Sequence, residues 1–259
     1  MIRQETSAGV ITIRLERSER KNALSAEMIT DIGAALKKAK EDPACRCVVI
    51  TGSGGNFCAG RELGAPREPG LAATLAYDEA YSAIFRHLQE LAKPSVAVVE
   101  GYAVAGGFTL AMGCDFVLAT EDARFGAMEM KNGFPAAVNT ALLSQLCPPR
   151  LALEWLTSGD VIPASRLYQH GLINRLLPDA SALAQSAQEF TSILVERDPL
   201  AVKLAREAFK AAREMPLPEA LSYGKNLNAL LLASGRIEEA ARAFEARQRV
   251  SPSPNFRLK

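Results

Sequence analysis

The stretch KPSVAVVEGYAVAGGFTLAMGCD, residues 93–115, predicts the local structure around which the chain is organised. Residues 95–100 are a short, valine-rich apolar run, which is typical of a buried strand. Gly101 interrupts this run, and a Gly-Gly pair at 106–107 precedes residues 108–112, whose Ala, Leu and Met favour a helix. The predicted order is strand, tight glycine turn and helix. Free N–H groups at a helix start, beside glycines that allow close approach, suit an oxygen that becomes negative during a reaction.

These glycines have two other interpretations. A turn that uses glycine only for its positive φ needs no ligand, and the stretch alone leaves this alternative open. A phosphate-binding loop does not fit, because Gly107 and Phe108 occupy the positions at which such a loop requires Lys and then Ser or Thr.

Composition and charge limit the classes of partner. The chain has 259 residues, of which 48% are hydrophobic and 23% are charged, ordinary values for a globular protein. This length predicts one large domain, with at most a small appendage. A formal net charge of +1 gives no general attraction to nucleic acid or to anionic membranes, so we expect neither as a partner. No apolar run is long enough to predict a membrane span.

Cysteine and histidine usage argues against disulfides and metal. The chain has five cysteines, without a CxxC pair, and two histidines. This pattern disfavours both a disulfide framework and a zinc site, so we expect no metal. Buried thiols in a reducing compartment are the simplest interpretation, and we expect a cytoplasmic protein.

A second glycine-containing turn follows an earlier strand. Residues 47–51 are a predicted strand, and glycines then lead to the motif FCAG at 57–60. The pattern of strand, glycine turn and helix therefore occurs twice, which would give two clusters of backbone N–H donors. Residues 64–70, GAPREPG, resemble a linker before the next helix. They are a candidate lid, and a solvated surface loop is the alternative.

The remaining chain alternates strands and helices up to Asp179 and is helical beyond it. Residues 123–135 are predicted as a glycine-punctuated loop with a short helix. The apolar run LNALLL, residues 227–232, is wider than one helical stripe, which predicts burial against a partner subunit or inside the protein's own core. The other predicted strands are 9–15, 116–119 and 172–177, and the predicted helices are 25–40 with Ser25 as N-cap, 71–91, 137–147, 149–157 and 163–169.

Three segments in this order resemble the crotonase superfamily of acyl-CoA enzymes. They are FCAG at 57–60, the turn within residues 93–115, and Phe125-Gly126 followed by Glu129. The resemblance covers essentially the full length, and enoyl-CoA hydratases and isomerases are the best-known members. It implies an α/β fold, namely a crotonase-like spiral of ββα units with two roughly perpendicular sheets and a C-terminal helical region.

The resemblance also implies how the chain is divided and assembled. Residues 1–195 would form the acyl-CoA-binding core, and residues 196–259 would form a C-terminal helical oligomerisation region. A homotrimer or a dimer of trimers is expected. Coenzyme A would enter as part of the substrate, so no separate cofactor is expected.

Two main-chain donors and one carboxylate carry the implied chemistry. By resemblance, the backbone N–H groups of Arg61 and Gly106 hold the thioester oxygen, and Glu129 is the acid and base. Because the donors are main-chain groups, the large side chain of Arg61 is compatible with this role. Removing a proton beside a thioester carbonyl makes an enolate, which two preorganised donors stabilise.

One departure from the family pattern leaves the reaction open. Many hydratases of the family carry two glutamates, and the first would fall at Thr109, which cannot act as a carboxylate base. A single carboxylate fits a proton shuttle that moves a double bond. Hydration by Glu129 alone is the alternative, with Thr109 or Glu62 positioning water. Thioester hydrolysis, decarboxylation and non-catalytic acyl-CoA binding are further alternatives.

The sequence also predicts the surroundings of Glu129 and of the ligand. Apolar neighbours, namely Met128, Met130 and Phe134, would desolvate Glu129 and raise its pKa. Cationic residues before Asn22 would complement the phosphates of CoA, or would form a solvated cluster. The predicted CoA-binding residues are Arg20, Lys21, Asn22, Ala23, Ala59, Gly60 and Leu63, and the predicted acyl pocket contains Val104, Met128 and Phe134, with Leu63 beside them.

Overall fold

A computed structural model describes residues 1–62 and 70–250 of the chain. The chain divides into two compact units, of which the first is Met1–Lys203 and the second begins at Leu204. The predicted boundary between residues 195 and 196 stays a prediction. Two sheets and a C-terminal series of helices confirm the predicted α/β class. Leu63 and most of the candidate lid, residues 64–69, lie outside the described residues.

Within the described residues, nine strands form two sheets. The larger sheet has the order β1-β2-β3-β4-β6-β9, and the smaller has the order β5-β7-β8. Strands β1 and β2 are antiparallel, whereas the other neighbours in the larger sheet are parallel. The strands are β1 (Ile2–Ser7), β2 (Val10–Leu15), β3 (Cys47–Gly52), β4 (Ser95–Val99), β5 (Tyr102–Val104), β6 (Phe116–Thr120), β7 (Arg124–Gly126), β8 (Ile162–Pro163) and β9 (Arg175–Leu177).

Ten α-helices complete the described part of the chain. Ser25 caps the first of them as predicted, since its side chain accepts a hydrogen bond from the backbone N–H of Met28 at 3.2 Å. The helices are α1 (Ala26–Glu41), α2 (Leu71–Glu90), α3 (Gly106–Met112), α4 (Ala137–Leu146), α5 (Pro149–Ser158), α6 (Ala164–Gln169), α7 (Ala180–Glu196), α8 (Pro199–Glu214), α9 (Leu217–Ala233) and α10 (Arg236–Val250).

The core lies on both faces of the larger sheet. All five residues of β4 are buried, as expected for a central parallel strand that is covered on both sides. One face joins α1, through Met28 and Ile32, to the main apolar cluster. The opposite face packs Val96 and Val98 against Leu183 of α7.

The smaller sheet corrects the predicted order of strand, turn and helix. After Gly101 the chain first enters β5, which pairs in parallel with β7, and only then does α3 begin at Gly106. Strands β5, β7 and β8 have two or three residues each, which is too short for hydrophobic periodicity to detect. This sheet brings the glycine turn of residues 101–107 beside the segment that carries Glu129.

Candidate active site

The two glycine-containing turns lie side by side. Cys58 of the first turn forms an isolated bridge with Ala103 in β5. The N–H of Cys58 donates to Tyr102 O at 2.8 Å, and the N–H of Val104 donates to Cys58 O at 3.0 Å. A Cβ atom on Gly107 would lie 2.1 Å from Cys58 O, so only glycine fits this position. The two turns that the sequence separates by more than forty residues therefore form one structure.

The backbone nitrogens of Arg61 and Gly106 lie close together where the two turns meet. A Cβ on Gly60 would lie 3.0 Å from Gly106 N, and a Cβ on Gly106 would lie 3.2 Å from Arg61 N. Neither N–H group donates a hydrogen bond to any acceptor within residues 1–62 and 70–250. The N–H of Leu24 donates to Gly60 O, and the N–H of Glu62 donates to Leu24 O, so Leu24 forms a parallel bridge with Arg61. Because residues 60 and 62 face Leu24, the N–H of Arg61 lies on the opposite side of the chain. The two nitrogens thus lie near each other, and neither N–H group is engaged by an acceptor of the described residues.

Ala105, between β5 and α3, holds an unusual backbone conformation. Its φ is 49° and its ψ is −126°, in a region that residues other than glycine rarely adopt. Its N–H donates to Gly126 O at 2.7 Å, and its carbonyl accepts from Asn139 Nδ2 at 3.1 Å. These two contacts tie the turn to β7 and to α4, and they fix the direction in which the Gly106 N–H points.

Glu129 lies in a short 3-10 helix, Met128–Asn132, that follows β7. Its Oε1 accepts a hydrogen bond from Asn139 Nδ2 at 3.2 Å. Its Oε2 is buried and has no hydrogen-bond partner in the part of the chain that the structure describes. One amide group, that of Asn139, therefore contacts both the carboxylate and the turn that presents the Gly106 N–H.

Burial raises the pKa of Glu129, as predicted. A hydrogen bond from its own backbone, the Asn139 hydrogen bond and the positive charge of Arg61 act in the opposite direction, and burial dominates. The expected cause was only partly right, because Met130 and Phe134 are 37% and 38% exposed. A carboxylate whose pKa is raised toward neutrality suits proton transfer.

Helix α2 contacts the glycine turn at Gly106 through Tyr81. The Tyr81 hydroxyl, which is 1% exposed, donates to Gly106 O at 2.7 Å. The Arg61 guanidinium lies over the Tyr81 ring, with Cζ 4.9 Å from its centroid, and it forms an ion pair with Asp78. Tyr81 lies in the predicted helix 71–91, and nothing in the local sequence pattern predicts this polar contact.

The two side chains proposed to position water have different surroundings. Thr109 is 1% exposed, and its hydroxyl donates to Ala105 O at 3.4 Å within α3. The Glu62 carboxylate accepts two hydrogen bonds from Arg17, both at 3.0 Å, and a third from Arg20 at 3.3 Å. The Arg17 hydrogen bond lowers the pKa of Glu62. Glu62 thus anchors the loop before Asn22.

Asn22 organises this loop from inside the protein. It is fully buried, and its amide donates to Ser53 O at 2.9 Å and to Asn56 O at 2.7 Å. Its Oδ1 accepts from the N–H of Arg17 at 2.8 Å. Every polar atom of the side chain is therefore engaged with protein, and none of its surface faces a ligand. We assign Asn22 to the architecture of the loop.

The other predicted CoA-binding residues surround this loop. Arg20 and Lys21 are exposed, and Lys21 Nζ lies 4.3 Å from the centroid of the Tyr102 ring. The N–H of Ala59 donates to Lys21 O at 2.9 Å, which places the FCAG turn directly beside the loop. Ala23 is half-buried and Gly60 is buried. In the predicted acyl pocket, Val104 is buried, Met128 is half-buried and Phe134 is exposed.

Within the described residues, the structure shows no metal-binding cluster and no helix that could cross a membrane. Residues 1–62 and 70–250 hold no group of three or more His, Cys, Asp or Glu side chains that could bind a metal ion. In the same ranges, every helix is too short or too polar to cross a membrane.

Comparisons with known proteins agree with this geometry. The family model for enoyl-CoA hydratase/isomerase matches residues 5–251. The chain therefore belongs to the enoyl-CoA hydratase/isomerase family, which confirms the crotonase resemblance and the assignment as an enzyme of this kind.

Relatives and solved structures match over nearly the whole chain. The chain is 33% identical to 2,3-dehydroadipyl-CoA hydratase of Escherichia coli K12, over 91% of each protein. It is 30% identical to (E)-benzylidenesuccinyl-CoA hydratase of Thauera aromatica, over 98% of this chain and 97% of the relative. The crystal structure of an enoyl-CoA hydratase from Mycobacterium smegmatis has a TM-score of 0.87 and 28% identity, and the match covers 95% of this chain and 96% of that one.

Proposed function

We propose that the N–H groups of Arg61 and Gly106 bind the thioester oxygen of an enoyl-CoA, and that Glu129 transfers the protons. The observation that carries this proposal is the pair of N–H groups without an acceptor among the described residues. Asn139 joins the turn of Gly106, through Ala105 O, to the Glu129 carboxylate, whose Oε2 is buried. Removing one such donor costs roughly 2.7–4 kcal/mol of barrier in other enzymes.

Hydration follows from these groups in balanced steps. Glu129 takes a proton from water while the water oxygen bonds to C3 of a 2-enoyl thioester. The π electrons of the C2–C3 double bond move toward the thioester oxygen, where two N–H groups stabilise the enolate. Glu129 then returns its proton to C2, which gives the 3-hydroxyacyl thioester and restores the carboxylate.

A double-bond shift uses the same groups without water. Glu129 removes a proton from C2 of a 3-enoyl thioester, and the resulting dienolate is held by the same two N–H groups. The proton returns at C4, and the double bond becomes conjugated with the carbonyl. Neither reaction requires a metal or a second cofactor, since a carboxylate and two donors supply every proton and charge that moves.

The nucleotide end of CoA is assigned to the loop before Asn22. Arg20 and Lys21 are exposed cations there, and cations complement phosphates. The FCAG turn lies next to this loop through the hydrogen bond from Ala59 to Lys21, so a ligand held by the loop can reach the Arg61 N–H.

The test uses both substrates in deuterated water. The protein is incubated separately with a 2-enoyl-CoA and a 3-enoyl-CoA, and products are separated and weighed by mass spectrometry. Addition of water with one deuterium fixed at C2 supports hydration, and conversion of the 3-enoyl to the 2-enoyl thioester supports the shift. Glu129→Gln should abolish turnover but still bind acyl-CoA. Unchanged thioester in both tubes, or an active Glu129→Gln variant, would overturn the proposal.

We also propose a homotrimer or a dimer of trimers in the cytoplasm. Helix α9 exposes several large apolar side chains, which a partner subunit would cover. All five cysteines are buried free thiols, in keeping with a reducing compartment. Light scattering after size-exclusion chromatography measures the assembly, and a monomer would contradict it. The exposed leucines of α9 are Leu217, Leu221, Leu230 and Leu232.

A further inference from the structure

Two buried side-chain oxygen atoms at the candidate active site have no hydrogen-bond partner among the described residues. Glu129 Oε2 and Asn139 Oδ1 are both buried, and neither accepts a hydrogen bond from any described residue. Asn139 as a whole is only 1% exposed. Buried polar atoms in folded proteins nearly always have a partner. Two such acceptors on contacting side chains point to a small ligand that donates two hydrogen bonds.

The orientation of the Asn139 amide follows from its neighbours. Its Nδ2 donates to Glu129 Oε1 at 3.2 Å and to Ala105 O at 3.1 Å. If the amide were turned around, its oxygen would face two acceptors, which is unfavourable. Asn139 Oδ1 must therefore point away from both. Since Nδ2 pairs with Oε1, the second oxygens of the two side chains are the ones left for a ligand.

We propose that Asn139 is a catalytic residue whose Oδ1 accepts a hydrogen bond from the attacking water, while Glu129 Oε2 accepts the other. This inference rests on the proposed function and deepens it, because it assigns hydration to the site. The Thr109 hydroxyl already donates to Ala105 O inside α3, whereas Asn139 Oδ1 is a buried acceptor that has no partner among the described residues. Asn139 lies one helical turn before the buried Leu143, on the inward face of α4.

The geometry gives each hydrogen of the water a separate fate. The hydrogen on Glu129 Oε2 is transferred to the carboxylate as the water oxygen bonds to C3. The hydrogen on Asn139 Oδ1 stays with that oxygen and becomes the hydroxyl hydrogen of the product. Two fixed acceptors leave a lone pair of the water free for the bond to C3, and such positioning is worth about 10²-fold when it is lost.

The test compares two reactions that differ in their need for water. Hydration of a 2-enoyl-CoA requires Glu129, the two N–H donors and a positioned water. Deuterium exchange at C2 of a saturated acyl-CoA requires Glu129 and the donors but no attack by water. Both rates are measured for the wild type, Asn139→Ala, Asn139→Asp and the matched control Thr140→Ala, an exposed neighbour on the same helix.

Asn139→Ala should lower hydration at least tenfold more than it lowers exchange. Asn139→Asp should recover part of the hydration, because one carboxyl oxygen remains as an acceptor and a proton shared with Glu129 replaces the lost donor. Thr140→Ala should leave both rates within twofold. Thermal unfolding and acyl-CoA binding show that each variant is folded, and if Asn139→Ala fails to fold, Asn139→Ser is compared by the same ratio.

Three results would overturn the inference. Equal losses of hydration and exchange would make Asn139 a positioning residue for Glu129 alone, and unchanged hydration would remove any role. A wild-type protein that exchanges C2 protons but never adds water would refute the water site while the proposed function stands. A wild-type protein that does neither and also leaves a 3-enoyl-CoA unchanged would refute the proposed function itself, before any Asn139 variant is considered.

Discussion

Gly60 and Gly106 are packed so closely that a Cβ atom on Gly60 would lie 3.0 Å from the backbone nitrogen of Gly106 and 2.8 Å from the Cβ of Ala105. This contact joins the two turns that present the N–H donors. Gly60 also has a φ of +96°, which side-chain-bearing residues rarely adopt. Because Gly60 has no Cβ atom, the two turns can lie this close together, and so can the N–H donors of Arg61 and Gly106.

Gly60→Ala should separate the two turns. Crowding of this kind costs about 1–3 kcal/mol, and the displaced Gly106 N–H should lower kcat/KM by about 10²-fold. Gly171→Ala is the matched control, because its φ is +75° but nothing lies within 4 Å of an added Cβ. Only the backbone cost of about 1–2 kcal/mol applies there. Denaturant unfolding and steady-state kinetics measure both effects, and equal activity losses in the two variants would contradict the expectation.

Glu129→Gln should stabilise the protein at neutral pH while it abolishes turnover. Burial raises the folded-state pKa of Glu129, so the folded state binds more protons than the unfolded state between the ordinary glutamate pKa and the raised one. Stability is therefore lost as pH rises through this window. Neutral Gln avoids that loss, and its advantage should disappear below the ordinary pKa of glutamate.

The measurement for this substitution is the unfolding free energy across the pH range. Glu121→Gln, at an exposed carboxylate, is the control, and it should change stability little because water solvates both forms. A Glu129→Gln protein that is less stable than the wild type at neutral pH would show that the ionised carboxylate is well satisfied in the fold.

The raised pKa of Glu129 should also appear in the rate. Glu129 must be ionised to accept a proton, so kcat/KM should fall as pH decreases through its raised folded-state pKa. The acid limb should therefore lie at higher pH than an exposed glutamate would give. A pH profile of kcat/KM for the preferred enoyl-CoA measures this limb, and a flat profile down to the ordinary pKa of glutamate would count against Glu129 as the base.

Sequence patterns could predict the elements that have a signal within a few neighbouring residues. The strand before Gly101, the helix after Gly106 and the segment carrying Glu129 each have a signal within a few neighbours. The short strands β5, β7 and β8 have none, although they set the distance between these parts. The donors and the carboxylate were therefore expected from the family resemblance of these segments, whereas no sequence signal predicted the sheet that brings the segments together.

The role of Asn139 depends on contacts with residues that are distant in the sequence. Its only signal is a polar residue at a core position of α4, because Asn139 and Leu143 are the buried residues at i and i+4. That pattern predicts a buried amide with a partner, but it does not say that the partners are Glu129 and Ala105. Glu62 is the opposite case. Its place beside the FCAG motif suggested that it positions water, but in the structure its carboxylate forms an ion pair with Arg17.

Glu62→Gln should raise KM more than it lowers kcat. The Arg17–Glu62 pair fixes the loop that carries Arg20 and Lys21, so its loss should weaken ground-state and transition-state binding of CoA alike. The Arg17 hydrogen bond keeps the pKa of Glu62 low, and the pair should persist as pH falls below the ordinary glutamate range. A fall in kcat with unchanged KM would instead support the original idea that Glu62 positions water.

Arg61→Ala should shift the acid limb of kcat/KM to higher pH. The N–H donor of residue 61 is retained, whereas the guanidinium that opposes the rise in the Glu129 pKa is removed. Arg61→Lys keeps a positive charge and is the matched variant, so its limb should stay near that of the wild type. The same pH profiles measure all three proteins. If Ala and Lys variants had the same acid limb, the charge of Arg61 would have no part in setting the protonation of Glu129, and its side chain would be left with structural contacts such as those to Tyr81 and Asp78.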